Sequence, residues 1–456
     1  MNGFFPFGRA PLALLVIAVL SGVLVLATRS GQAARRADLV FAVFSKEHRA
    51  AYEQIIPEFE AKHGVHVQIQ LIDIRAMQSR LQAALLSGAE VPDVVELIEP
   101  SIGYFTRGPL ADVGFVDLTE RVAALGLQDK MVASRFGLWS SRGRIFALPH
   151  DIHPVGLLYH RELFAQLGID PAALQTWDDV LRIGREVAAR TTVDGVTKHF
   201  LLDLPDEGGA PLLVLLLQAG GGLFDAQGTV RFDDAIALRT VLWYVRATRG
   251  PGRIAVTCGL GQNLASAVAD GLALSFLAPD WRTRQFEVDI PEVAGKMAVM
   301  PLPVWEPGGR RTSTWGGTGI LITKASRKQD LAWELVRELY LRDDAYGARF
   351  AGSNILPPVR SAWTLPEFTK PNPYWSNIPL GSFYAGLAPE VPPIYITAYE
   401  ELARVKFSEA QVAIALRYQV TGDNGIEEFA RQELKRCADY VRTAMARDRF
   451  QGQVTP

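Results

Sequence analysis

Between Asp38 and Ile98 the chain runs through two alternating hydrophobic rhythms. The apolar run Asp38–Phe44 predicts a strand. After it Ser45 can cap a helix in which Tyr52, Ile55, Ile56 and Phe59 share one face. Pro57 predicts a kink or a restart in that helix, and Gly64 its end. Val65, Val67, Ile69 and Leu71 then alternate with polar residues, as in a half-buried strand. Met77, Leu81, Ala84 and Leu85 stripe a second helix, and Asp93–Ile98 forms a short strand. Strand–helix–strand–helix–strand predicts an α/β chain built on a parallel sheet.

The rhythm breaks at Ile145–Leu158, where Pro149 and Pro154 mark an extended segment. A helix is expected over Tyr159–Leu167, ending at Gly168, and another from the Thr176/Asp179 capping box through Ala189. Pro211–Ala219, Asp234–Thr248 and Asn263–Asp270 read as helices, and Leu272–Leu277 as a buried strand. Ile355–Pro393 is rich in Pro, Trp and Tyr and reads as an irregular wrap, while the chain from Tyr399 onward is mainly helical.

Gly295–Tyr340 is the most informative stretch. It predicts a strand (Met297–Pro303), a polar loop, a Trp315-Gly316-Gly317 turn, a second strand (Ile320–Thr323) and a helix. Ser326 is expected to cap that helix, with Gln329 completing a capping box. Gly316, Gly317 and Gly319 admit either a left-handed backbone or close approach of a ligand. Trp315 adds a flat apolar face beside them.

Composition narrows the function. The 456 residues are 48% hydrophobic and 21% charged, which suits a globular chain of two or three domains. A formal net charge of -2 argues against nucleic acid as a partner. Cys258 and Cys437 read as buried free thiols. Ala10–Thr28 carries no charge and is rich in Leu, Val, Ile and Ala, so residues 1–37 read as an export signal or a retained membrane anchor.

Catalytic signatures are missing: there is no nucleotide loop, G-x-S-x-G or H-E-x-x-H. His150-Asp151-Ile152-His153 is the most metal-like cluster. In a strand it would put Asp151 and His153 on one face and His150 on the other, which splits the ligand set. No metal and no cofactor are therefore expected, and His150 and Asp151 read as lining a crossing strand, where they could touch a ligand. Trp139, Trp281, Trp315, Trp363 and Trp375 fall in segments expected to be loops or element boundaries. Sugars present an apolar C–H face and a rim of hydroxyls, so aromatic planes beside carboxylates suit them, as in Asp280-Trp281-Arg282. A glycosidase would need a pair of carboxylates, for which Glu96, Asp151 and Asp280 are candidates.

Several pieces, taken in order, carry a family resemblance. They are Val91-Pro92-Asp93-Val94-Val95, Leu148–Phe164, Thr176-Trp177-Asp178-Asp179, Asp280-Trp281, and the Gly295–Tyr340 stretch. In this order the chain resembles the extracellular solute-binding proteins of carbohydrate ABC importers (family 1 type). Pro373–Tyr399 resembles the subgroup for arabinose, lactose and related oligosaccharides. The resemblance implies a two-lobed periplasmic-binding-protein fold of class α/β, with discontinuous lobes of residues 38–149 plus 315–354 and 150–314 plus 355–456. Three hinge crossings are implied, at Pro149–Asp151, Ser313–Gly316 and near Gly352–Pro357.

It also implies a non-enzymatic, monomeric receptor on the extracytoplasmic side. Such a receptor delivers a carbohydrate ligand to ABC permease subunits driven by a cytosolic ATPase. Carried over by position, ligand contacts fall on Glu96, Asp151, Trp281, Trp315, Gly316 and Gly317, with Ser45 and Glu47 after the first strand. His150 joins them from the reading of the crossing strand. The family's lipid-attachment cysteine is missing, which implies a free or helix-anchored protein. An exported glycoside hydrolase remains an alternative, as does a receptor of the same fold for a polyol or glycerol phosphate. The phosphate would call on Arg282, Arg310 or Arg311.

Overall fold

The computed structural model describes residues 14–18, 20–21, 37–99 and 101–447. The export or anchor segment expected over 1–37 lies almost wholly outside the described residues. Among the described residues no helix is long and apolar enough to cross a membrane.

Each of two mixed sheets carries one lobe. In the first, β1 (Leu39–Val43) pairs in parallel with β2 (Val67–Leu71) and β3 (Val94–Ile98). Helices α1 (Lys46–His63) and α2 (Ile74–Ser87) make the connections. The strand period sends Leu39, Phe41 and Val43 toward Tyr52, Ile56 and Phe59 of α1. Ala42, Val95 and Leu97 pack on the other face with Met77 and Leu81 of α2. Both faces are thus covered at the centre of the sheet, which is why β1 is apolar throughout, while the edge strand β2 alternates apolar residues with Gln68 and Gln70. Strand β4 (Ala147–Pro149) ends this first passage through the lobe.

The second sheet collects β5 (Val155–His160), β6 (Phe200–Asp203), β7 (Ala255–Val256), β8 (Ala273–Pro279) and β9 (Met297–Pro301), in the order β7-β6-β8-β5-β9. Its core joins Leu157, Leu202 and Leu277 to Val180 and Val187 of α3 (Trp177–Thr191). The chain then returns to the first sheet as β10 (Thr318–Ile322), antiparallel between β3 and β4, with Ile320 opposite both Glu96 and Leu148. The sheet expected to be parallel is therefore mixed. Its antiparallel strand arrives from the other lobe, which a local rhythm cannot register.

Other expectations shift for local reasons. Helix α1 runs through Pro57 without a break; Pro57 and the residue four before it, Glu53, are both exposed, so water can take the carbonyl that proline leaves free. Tyr159 and His160 belong to β5, and the following helix is only Arg161–Gln166. Ser326 does not cap the helix after β10. Its hydroxyl donates to Asp93 Oδ1 at 2.6 Å and accepts from the Lys328 N–H at 3.2 Å, ahead of α6 (Gln329–Tyr340), whose N-cap Lys328 makes no side-chain cap. The Thr176/Asp179 capping box is present as expected. Both cysteines are free and buried. The labels α4, α5 and α7 to α9 denote Ala210–Gln218, Asp280–Asp289, Asp343–Ser353, Leu380–Leu387 and Glu400–Thr421.

Gly319, on β10, sits against the buried indole of Trp139; a Cβ there would lie 2.6 Å from ring atoms that cannot swing away. Gly319→Ala is expected to lower unfolding free energy by roughly 1–3 kcal/mol through overpacking. At Gly386, exposed in α8, a Cβ meets nothing, and Gly386→Ala should be neutral or stabilising by up to about 1 kcal/mol. Urea midpoints of the two variants check both signs.

Candidate functional site

The chain passes from the first sheet to the second after β4 and returns before β10, and one buried cluster of charges ties those two passages to the segment after α7. Asp151, fully buried, lies in the first. Its Oδ2 accepts from His153 Nε2 at 3.0 Å and contacts His150 Nδ1 at 3.2 Å. Its two oxygens also take the backbone N–H of Thr318, at the second passage, at 3.2 and 3.1 Å. Arg135 reaches in with Nε on the Asp151 carbonyl (3.1 Å) and Nη2 on the Gly316 carbonyl (3.0 Å).

His153 Nδ1 contacts Asp280 Oδ1, at the start of α5, at 2.6 Å, and Asp280 Oδ2 accepts the Leu356 N–H of the segment after α7 at 2.7 Å. The segment 150–153 is not a strand, and His153 has φ 55°. That turn puts both neighbouring imidazoles on the one carboxylate, where alternation would have separated them.

Electrostatics follow from the pairing. Burial opposes a charge on His153, but Asp151 and Asp280 outweigh it and raise its pKa to about 9. The ring is then an imidazolium donating from both nitrogens. Burial would raise Asp151; the His153 charge and the bonds from both histidines hold it well below its ordinary value. His150 goes the other way: burial, Arg349 and His48 push it down to about 3, so it is neutral.

A second buried carboxylate, Glu96, accepts from Tyr52 (2.5 Å) and Tyr340 (2.6 Å) and contacts His48 Nδ1 at 3.0 Å. Burial raises its pKa, but His48, with His150 and Tyr340, brings it to about 2. His48, Glu96 and His150 are the one trio of metal-ligand type among the described residues, and hydrogen bonds already engage Glu96 on both oxygens.

Above this cluster lies a cleft of about 740 Å³. Its walls are Ser45 and Glu47 at the start of α1, the end of β3 (Ile98, Glu99), the second passage (Thr314–Thr318), and Trp281 on α5. Strand ends of both sheets thus face the cleft, the usual place for ligands on α/β sheets. Trp281 and Trp315 meet edge to face at 5.8 Å between ring centres, and Trp281 Nε1 donates to the Trp315 carbonyl at 3.2 Å. Both are half-buried and line the cleft. On the opposite rim Arg404 of α9 bonds Glu99 Oε2 at 2.7 Å and Glu400 Oε1 at 2.9 Å. Burial raises Glu400 to about 7.

Of the residues singled out from sequence, Ser45, Glu47, Trp281, Trp315, Gly316 and Gly317 line this cleft. Glu96 and Asp151 are wholly buried beneath it, and His150 faces a smaller adjoining recess. Trp139 and Trp375 are core residues rather than loop platforms. Arg282 is buried against Asp203, and neither Arg310 nor Arg311 lines the cleft. The arginines that do are Arg284 and Arg404, together with His48, Leu213 and Ile394. Sequence reasoning passed over these residues because they come from helices and a wrap whose meeting point is purely tertiary. The one local signal was His48, three residues after the capping Ser45.

A family model described as bacterial extracellular solute-binding protein matches residues 45–345. An arabinooligosaccharide-binding protein of Halalkalibacterium halodurans is 23% identical over 85% of this chain and 84% of its own. A lactose-binding protein of Rhizobium radiobacter is 24% identical over 76% of this chain and 80% of its own. Among solved structures, the sugar-binding protein MalE from Xanthomonas citri aligns with a TM-score of 0.72 at 18% identity, over 90% of this chain and 99% of that one. At that identity the likeness establishes the two-lobed fold.

The His153 charge carries a pH signature. A folded pKa of about 9 against an ordinary 6.5 stabilises the fold fully below pH 6.5, and that contribution is lost as pH rises through about 9. The stability gap between the wild type and His153→Gln is expected to be widest, roughly 3 kcal/mol, near pH 6. It should close between pH 6.5 and 9. Denaturant titrations of both proteins across that range test it; a gap constant with pH would contradict the imidazolium.

Proposed function

The chain belongs to the bacterial extracellular solute-binding proteins, and on that premise we propose that it is a non-enzymatic receptor that holds a sugar or oligosaccharide in the cleft. The carrying observation is the Trp281–Trp315 pair on the cleft wall, set among the carboxylates Glu47 and Glu99. Aromatic faces take the C–H side of a pyranose, and carboxylates take its hydroxyl protons. A volume of about 740 Å³ lies within the roughly 300–1,000 Å³ of pre-formed small-ligand sites. The names of the relatives, an arabinooligosaccharide-binding and a lactose-binding protein, support the same ligand class.

The lobes in this reading are residues 38–149 with 315–354 and residues 150–314 with 355–456. They rock about the Asp151 cluster, and the Arg404–Glu99 contact closes the rim. Delivery is to the transmembrane subunits of an ABC permease. The apolar N-terminal segment carries the receptor to the extracytoplasmic side. A glycosidase is less well supported: Glu96, Asp151 and Asp280, the acids that suggested one, have no exposure through which to reach a glycosidic oxygen. A glycerol phosphate receptor that relied on Arg282, Arg310 or Arg311 finds none of them in the cleft.

Titration with neutral mono- and oligosaccharides, followed by tryptophan fluorescence and calorimetry, should give saturable binding to at least one carbohydrate. Trp281→Ala and Trp315→Ala should each weaken that binding by about 2 kcal/mol, near thirtyfold. A protein that responds to a non-carbohydrate solute and to no saccharide contradicts the ligand class; unchanged affinity in both variants removes the tryptophans from the site.

A further inference from the structure

Three arginines are buried among the described residues, and they differ in what balances their charge. Arg135 lies 3.6 Å from Asp151, and Arg282 lies 3.0 Å from Asp203. Arg349, 8% exposed on α7, has no carboxylate partner among the described residues. Its Nη1 donates to the Leu339 carbonyl at 3.0 Å, and its guanidinium lies over the rings of Tyr340 and Tyr346, at 5.3 and 5.8 Å. A buried cation is normally paired, because desolvation is costly unless a counter-charge offsets it.

Arg349 lines a recess of about 310 Å³. The recess shares Glu47, His48, Gly352, Ser353 and Ile355 with the main cleft, so the two spaces adjoin. Its mouth carries Lys46 and the first turn of α1, whose amide end favours an anion. The nearby acids are occupied. Glu96 accepts from Tyr52, Tyr340 and His48, and Glu47 accepts from Ser45 at 2.7 Å. Among the buried groups of the recess, the guanidinium keeps donor capacity to spare beyond its hydrogen bond to the Leu339 carbonyl, and the Lys46 ammonium adds a second cation.

Resting on the sugar reading of the cleft, we propose that this recess is an anion subsite and that the receptor prefers an acidic saccharide. The carboxylate of a terminal uronate would face the guanidinium of Arg349, whose planar fork matches a carboxylate in two parallel hydrogen bonds. The neutral rings would remain in the cleft between Trp281, Trp315 and Glu99. A recess of about 310 Å³ has room for one terminal sugar unit.

The test compares matched pairs, galactobiose with digalacturonate and cellobiose with cellobiouronate, on the full chain by calorimetry. At least one uronate is expected to bind ten times or more tighter than its neutral partner. Arg349→Met should abolish the preference, so that the members of a pair bind alike, and Arg349→Lys should retain part of it. Gln54→Glu places a carboxylate at the same recess without touching Arg349. It should also remove the preference, and it serves if Arg349→Met fails to fold. Equal affinity within every pair overturns the proposal, as does a preference that survives Arg349→Met. Binding of inorganic phosphate through Arg349 without any uronate preference assigns the recess to a free anion and overturns the saccharide part. No response to any saccharide, neutral or acidic, is a separate result that overturns the sugar reading itself.

Discussion

The buried contact between Asp151 and His153 is what the rest of the molecule hangs on. A chain that crosses between two sheets must leave its strands, and each exit strands backbone donors and acceptors away from water. Here the Thr318 N–H, the Gly316 carbonyl, the Asp151 carbonyl and the Leu356 N–H are met by Asp151, Arg135 and Asp280. These side chains would be costly to bury singly. Together, two carboxylates balance one guanidinium and one imidazolium, and their remaining hydrogen-bonding capacity goes to the crossing backbone. The cluster is both the counter-charge and the hydrogen-bond partner that the crossings need.

This accounting also separates the glycines of the Trp315 turn. Gly316 has φ 96°, which an L side chain rarely adopts. At Gly317 a Cβ would lie 2.7 Å from Arg135 Nη2, and at Gly319 it would lie in the Trp139 ring. Two of the three are small because protein atoms approach them, and the third because the chain must turn. None requires a ligand to explain it. The features of the turn that face the cleft are the half-buried Trp315 and Gly316.

Much of the fold was legible in sequence because it rests on local rhythm. The β1–α1–β2–α2–β3 run, the Thr176 capping box and the Ser45 cap are all present close to where the pattern put them. Expectations failed where a distant residue competed for a local signal. Ser326 is held against Asp93 while α6 begins beyond it at Gln329, and β10 arrived antiparallel from the other lobe. The site divided along the same line. Ser45, Glu47, Trp281 and Trp315 sit at strand ends that the pattern could locate, whereas Glu96 and Asp151 point inward, which a short apolar strand or a bend does not reveal. Arg404 and Ile394 come from segments with no sequence tie to the cleft they complete.

Charge pairing adds a distinction that neither rhythm nor motif supplies. Arg404 is matched by Glu99 and Glu400, and Arg284 by Glu287 at 3.0 Å. The main cleft therefore presents arginines whose charge is already answered, and such a surface suits hydroxyl-rich neutral rings. Arg349 is answered by two aromatic rings and one carbonyl. Cation–π contact is worth about 2 kcal/mol when desolvated, well below the several kcal/mol of burying a guanidinium. The deficit sits beside Lys46 and the amide end of α1, which favour an anion, with Glu47 held by the Ser45 hydroxyl on the same turn. A fold that neutralises each of its other buried guanidinium groups and leaves this one facing a recess off the ligand cleft has kept a place for an anion to enter.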